Sequence, residues 1–260
     1  MIKYKGRSKF KQYVPAKPIK YGFKSFYICD SLNGYTFDFQ IYKGKENGTV
    51  QHGLGAQVVL DLCAPLLGKN YHVDCDNFFS SPYIANALAE KNTFFIGTCR
   101  TNRKGVPDAV KGVFRKKETP RGESVGAWAV DERGQVIIPK IRCMMWMDKQ
   151  PVGLINTIAP PNVFTTVERR QPDGTRKNIT CPVAVKLYNS FMGGVDLADN
   201  LRKLCESSRK SKRWYMRIFW YTVEVAIINS FVIMKEVNVS GRTDQPALQP
   251  QGAREKKIFQ

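Results

Sequence analysis

The sequence predicts an α/β protein with a mixed sheet. Three observations carry this. Aromatic and β-branched strand segments open the chain. Helical and strand patterns then alternate from residue 53 to residue 99, and helical periodicity returns after Pro182. The 43% hydrophobic content of 260 residues is enough for a sizeable core, so disorder of the whole chain is excluded.

Each element has a local reason. Tyr21–Cys29 is aromatic-rich and Tyr35–Tyr42 alternates, so both read as strands. Between them Ser31-Leu32-Asn33-Gly34 is a hairpin turn, because Asn-Gly tolerates positive φ. Leu54, Val58, Leu60, Leu62, Leu66 and Leu67 have helical spacing, with Gly68 as the expected C-cap. Tyr71–Asp76 is a short strand, and Ser81-Pro82 starts a helix that runs to about Glu90. Thr93–Cys99 is a buried strand. Residues 105–180 hold short β segments (Gly126–Val130, Val136–Ile141, Pro151–Ile158) between Gly, Pro and charge-rich turns, and read as a β-rich insertion. Helices follow at Val183–Phe191, Asp196–Cys205 and Arg213 to about Glu236. The organisation expected is 1–104 as the first part of a core, 105–180 as the insertion, 181–238 as a helical second part and 239–260 as a disordered tail.

Charge limits the partner. Forty-one Lys+Arg against 22 Asp+Glu give +19, beyond the roughly 2–8 of an ordinary small domain. Residues 1–30 carry +7, 101–121 carry +5 and 201–220 carry +6, so 71 residues hold +18. Blocks of this kind favour a polyanionic partner, with nucleic acid ahead of membrane surfaces. Arg7, Lys9 and Lys11 alternate on an expected strand. With Arg103, Lys104, Arg209, Lys210, Lys212 and Arg213 they form the candidate phosphate contacts. Trp214 and Trp220 follow the last block and suit either base stacking or core packing.

The seven cysteines are scattered with no CxxC pair, and only His52 and His72 could assist them. That excludes a thiolate zinc finger and suggests a reducing compartment. The basic start lacks an apolar signal core. Ile218 to Met234 is interrupted by Glu224 and Asn229, so it reads as a buried core helix rather than a membrane span.

Two acidic sites stand out. Asp76 follows a buried strand, where open α/β sheets place functional groups. Period-two alternation would put Asp74 and Asp76 on one face. Equally, Asp76 serves as a turn or cap residue ahead of the Pro82 helix. In Gly193-Gly194-Val195-Asp196-Leu197-Ala198-Asp199, the two acids are three apart and share a helix face. They read either as a cation site or as a first-turn acid favoured by the helix dipole with a surface neighbour. Oxygen-only ligands suit Mg²⁺ or Mn²⁺. Clustered carboxylates in a basic protein suit phosphodiester chemistry.

An ordered set of segments carries a resemblance. They are MIKYKGRSKFKQYVPAKPIKYGFK, CDSLNGYTFDFQIYKGK, VDCDNFFSS, TCRTNRKGVP, WMDKQPV, YNSFMGGVDLADN and SKRWYMRIFWYTVEVAIINSF. Over residues 1–236 the chain resembles the catalytic core of piggyBac-type transposases and piggyBac transposable element-derived proteins. The resemblance implies a ribonuclease H-like core with an inserted β-rich domain, DDD-type catalysis with Mg²⁺ or Mn²⁺, DNA as partner, no membrane and a nuclear location, with a homodimer left open. Asp76 matches the family's second catalytic acid, Asp196 the third and Asp199 an additional acid nearby. The first acid lies in an Asp-Glu pair just ahead of the segment matching Met1–Arg7. The sequence is therefore expected to lack that acid and the first strand, and not to cleave DNA. The alternative expectation is a domesticated, non-catalytic DNA-binding protein.

Overall fold

The computed structural model describes residues 1–44, 53–115, 118–131, 133–137, 141–160, 162–207, 209, 211–240 and 257–258. The strands are β1 (Ile2–Lys3), β2 (Gln12–Tyr13), β3 (Tyr21–Phe23), β4 (Ser25–Cys29) and β5 (Thr36–Ile41). Helix α1 (Leu54–Cys63), β6 (His72–Cys75), α2 (Pro82–Ala89) and β7 (Phe94–Thr98) follow. Then come β8 (Ser124–Trp128), β9 (Arg142–Met147), β10 (Pro151–Asn156), β11 (Phe164–Arg170) and β12 (Arg176–Pro182). The chain continues through α3 (Val183–Phe191), α4 (Gly194–Lys203), α5 (Trp214–Ser240) and β13 (Lys257–Ile258). Most of the expected tail 239–260 lies outside the described residues. Two compact units divide the chain: Met1–Thr49 with Gly194–Gln260, and Val50–Gly193.

The first unit holds two small antiparallel sheets. One has the order β1-β3-β2 and the other pairs β4 with β5. The single strand expected over Tyr21–Cys29 is thus two strands in different sheets, broken at Lys24. The turn at Asn33-Gly34 forms as expected. Gly34 has φ 77°, Asn33 Oδ1 accepts the Tyr35 N–H at 3.0 Å, and Asp30 Oδ1 accepts the Leu32 N–H at 2.8 Å. Ile2, Tyr4, Phe23, Tyr27, Cys29, Ala198 and Tyr221 form the buried core. Helix α5 docks through Asn229, whose side chain accepts from Thr36 N at 2.9 Å and donates to Thr36 O at 2.8 Å.

Helix α5 departs from the buried core helix expected. It buries one stripe, Tyr221, Glu224, Ile228 and Val232, while Phe219, Ile227, Phe231 and Met234 are exposed. By length and composition alone Trp214–Asn238 is long and apolar enough to cross a membrane. Its buried stripe nevertheless carries a paired carboxylate, which places that face against protein.

The second unit is built on a mixed sheet in which β6 and β7 are parallel and β7-β10-β9-β8 run antiparallel. Helix α2 makes the crossover between β6 and β7. Ser81 caps it by accepting the Ile84 N–H at 3.3 Å, with Pro82 at the first helical position. Strands β8, β9 and β10, read from sequence as part of an insertion, extend the same sheet as β6 and β7. Ile96, Met144, Trp146, Leu154, Cys181, Val185 and Tyr188 lie in the core against it.

Two local expectations are corrected. Gly68 (φ 73°) does not cap α1. That helix runs into a 3₁₀ turn at Ala64–Leu66, and the Gly68 N–H instead donates to Lys91 O at 2.8 Å. The segment Val136–Ile141 is not seen as a strand among its described residues. Val136 makes one isolated bridge to Val130 and β9 starts at Arg142, while residues 138–140 lie outside the description.

Candidate nucleic-acid and acidic sites

Asp76 sits one residue beyond β6 and is exposed, whereas Asp74 on the strand is fully buried. The expected shared face fails because β6 ends at Cys75 and the chain turns. Asp74 instead lies 2.8 Å from the buried His72, Oδ2 to Nε2. Asp76 is a turn residue: its Oδ1 accepts the Phe78 N–H at 2.8 Å. Its carbonyl accepts from Ser80 N at 3.1 Å and from Ser80 Oγ at 2.8 Å. The turn engages one of the two carboxylate oxygens.

This turn is fixed from three sides. Arg103 Nη2 donates to Asn77 O at 3.1 Å and to Phe78 O at 3.0 Å. Arg103, read from sequence as a phosphate contact, is therefore a clamp on the loop that carries Asp76. A Cβ at Gly55 would come 2.6 Å from Phe78 O, so only glycine lets α1 approach. A Cβ at Gly97 would come 2.3 Å from Ser80 Oγ and 2.7 Å from Cys75 O. Burial pushes the Tyr188 hydroxyl up to about 12, with Thr98 acting the other way and Asp76 adding to the rise. Beside Asn77 opens a cleft of about 760 Å³, lined by Thr98, Arg100, Asn102, Phe114 and Met145 among others. Arg100 is exposed there and was not singled out from sequence.

In the other unit, α4 begins at Gly194. A Cβ there would meet Ser31 Cα at 2.9 Å, so this glycine is needed for close approach to the β4–β5 hairpin. At Gly193 a Cβ would meet nothing. Asp196 lies in the first turn of α4, exposed, where the helix dipole favours an acid. Asp199, one turn on, is half-exposed and 3.6 Å from Arg202 Nη2. Desolvation lowers the α-amino pKa of Met1, and Asp199 opposes this, so the first residue of the chain lies near that carboxylate.

Arg202 belongs to a buried network. Its Nη1 donates to Glu224 Oε2 at 3.1 Å, and its guanidinium lies 4.6 Å from the Tyr221 ring centroid. Desolvation depresses Arg202, but Tyr221, Asp199 and Glu224 outweigh it and hold the net pKa above its ordinary value. Glu224 Oε1 accepts the Ser207 N–H at 2.8 Å and lies 3.7 Å from Arg217 Nη1. Arg217 also donates to Ser207 O at 3.1 Å and to Glu206 Oε1 at 2.9 Å. At the far end of the basic segment, Tyr4 Oη donates to Lys212 O at 3.1 Å.

The other basic positions fall as follows. Arg7, Lys9, Lys104, Arg209, Lys212 and Arg213 are exposed, and Lys210 lies outside the described residues. Arg209 stacks on Trp220 at 4.0 Å, and Trp214 packs against Phe10 at 5.3 Å. Arg7, Lys9 and Lys11 are not on a strand: Lys11 N–H donates to Ser8 O at 3.2 Å in a turn, and Lys11 Nζ donates to Gly6 O at 2.9 Å. Lys11 is therefore tied to the turn. Among the described residues, no three or more His, Cys, Asp or Glu form a group that could hold a metal ion.

A mixed-sheet α/β chain with these acid-bearing turns matches a known family. The Transposase IS4 family model matches residues 1–231, and the chain belongs to that family as a piggyBac-type member. It is 28% identical over 242 residues to human PiggyBac transposable element-derived protein 3, covering 90% of this chain and 39% of that protein. Human PiggyBac transposable element-derived protein 2 is 25% identical over 240 residues, 89% of this chain and 38% of its own length. A cryo-EM structure of the piggyBac transposase synaptic complex with hairpin DNA superposes with a TM-score of 0.74 at 26% identity. It is matched over 94% of this chain and 47% of its own. The chain thus spans less than half the length of these relatives.

Proposed function

We propose that this chain binds DNA and carries the second and third acids, Asp76 and Asp196, of a DDD-type metal site on a ribonuclease H-like core. The first carboxylate would come from outside these 260 residues. The observation that carries this reading is the exposed Asp76 turn past β6, braced by Ser80 and Arg103 in a piggyBac-type chain. A braced turn presents a carboxylate oxygen without side-chain reorganisation. The donors fit a hard cation such as Mg²⁺ or Mn²⁺, since both acids are exposed and offer only oxygen. When bound, such ions would activate a water or hydroxyl oxygen and stabilise the leaving oxygen of a phosphodiester. Asp199 contributes less directly, because it shares its charge with Arg202.

DNA as partner is supported by the three basic blocks and by the hairpin DNA in the matched transposase complex. With DNA as its partner, the chain would act in the nucleus. The sharing of Asp199 with Arg202 favours, as a second reading, a DNA-binding role without catalysis. A Mn²⁺-dependent nicking assay on duplex DNA tests the acid assignment. The 260-residue chain is expected to leave the duplex intact. Cleavage by this chain that Asp76→Asn abolishes would show that its own acids suffice.

A further inference from the structure

We infer that Tyr13 and Tyr21 form a stacking platform for an unpaired nucleotide of a DNA strand, an inference that rests on the DNA-binding reading above. The two residues stand directly opposite across β2 and β3. Their rings stack at 4.7 Å with planes 30° apart, yet Tyr13 is 57% and Tyr21 52% exposed. The other aromatic side chains nearby are committed to packing. Tyr4 and Phe23 are buried and stack on each other at 5.1 Å, and Phe10 meets Trp214. An exposed stacked pair offers an outer ring face on which a third planar group extends the stack.

The charge around the pair selects the occupant. Residues 1–24 contain eight Lys/Arg and no Asp or Glu. Lys17 and Lys20 are exposed on the connection between the two strands. That connection is folded back by Val14 N–H to Lys20 O at 2.9 Å and by Lys17 N–H to Val14 O at 3.2 Å. Cations without acids call for a polyanion, and exposed aromatic faces call for a planar ring. An unpaired nucleotide supplies both, whereas bases inside a duplex already stack on their neighbours.

The test compares a blunt duplex with the same duplex carrying a single-stranded overhang, with 2-aminopurine placed at each overhang position in turn. Wild-type chain is expected to bind the overhang DNA more tightly and to quench 2-aminopurine at one or more positions. Changing both Tyr13→Leu and Tyr21→Leu is expected to weaken overhang binding by about 5- to 150-fold while leaving the blunt duplex within about 2-fold. Tyr13→Phe with Tyr21→Phe is expected to keep overhang affinity, since the ring faces remain. Equal losses on both DNAs by a leucine variant whose circular dichroism matches the wild type, or no quenching at any position by the wild type, would overturn the platform. The quenching result needs no variant, so it decides even if the leucine variants fail to fold. Binding to blunt duplex alone sinks the platform and leaves the DNA-binding reading standing. Binding to neither DNA sinks both.

Discussion

Replacing Glu224 by Gln tests how the basic segment after α4 is held. The side chains of Glu224 and Arg202 are 3% and 10% exposed and meet at 3.1 Å. The amide keeps the shape, and with its oxygen still accepting from Ser207 N its NH₂ would face the Arg202 guanidinium. Removing one partner of a buried pair costs about 3–5 kcal/mol. Asp199 still reaches Arg202 at 3.6 Å and Glu206 still holds Arg217 at 2.9 Å. The lower end, about 3 kcal/mol, is therefore expected. At roughly 2–4 °C per kcal/mol for a chain of this size, Tm should fall by about 6–12 °C. Thermal melts followed by circular dichroism at pH 7 measure this. A double-mutant cycle with Arg202→Met should show a coupling of about 1–3 kcal/mol, because the double variant leaves no unpaired charge between these two positions. A Tm shift below about 2 °C, or no coupling, would show that the network does not hold this region.

Further outcomes follow from the buried thiols and tight glycines. Six of the seven cysteines are buried and only Cys205 is exposed, so iodoacetamide at pH 8 should modify one thiol in the native chain and seven in denaturant. Burial pushes Cys29, Cys99 and Cys143 up to about 12. The unfolded chain gives up these protons first, so stability should be full below pH 8, fall from about pH 9 and continue to fall toward pH 12. Urea midpoints from pH 8 to 11 that stay flat would contradict this. Gly97→Ala should cost about 1–3 kcal/mol, since its Cβ would press on Ser80 Oγ and Cys75 O. The loss should appear in denaturant melts.

Much of the architecture was legible because its signals are local. Asn33-Gly34, Ser81-Pro82 and the spacing of α1 each state a turn, a start and a buried face within a few residues. Asp76 and Asp196 could be singled out as candidates, because they lie in distinctive short segments. What was not legible depends on distant partners. Glu224 looked like an interruption in an apolar run, but its role comes from Arg202 and Ser207, 22 and 17 residues away. Arg103 looked like one of several loose cations, yet two carbonyls 26 and 25 residues earlier fix it. The β11–β12 hairpin was not picked out within the 105–180 segment, because β11 alternates half-buried and exposed and shows little apolar contrast. The break at Lys24 was hidden because aromatic content continues across it. There the Lys24 ammonium lies 4.8 Å from the Phe26 ring centroid.

The claim that this chain is a DNA-binding piggyBac-type core is tested most directly by the salt dependence of its affinity for duplex DNA. Six of the basic positions read from sequence are exposed: Arg7, Lys9, Lys104, Arg209, Lys212 and Arg213. If only half of them neutralise phosphates, log K should fall against log salt with a slope of about −3. A slope that steep, reduced by roughly 2 in an Arg209→Gln, Lys212→Gln variant, is the result expected. A slope near zero would contradict the account.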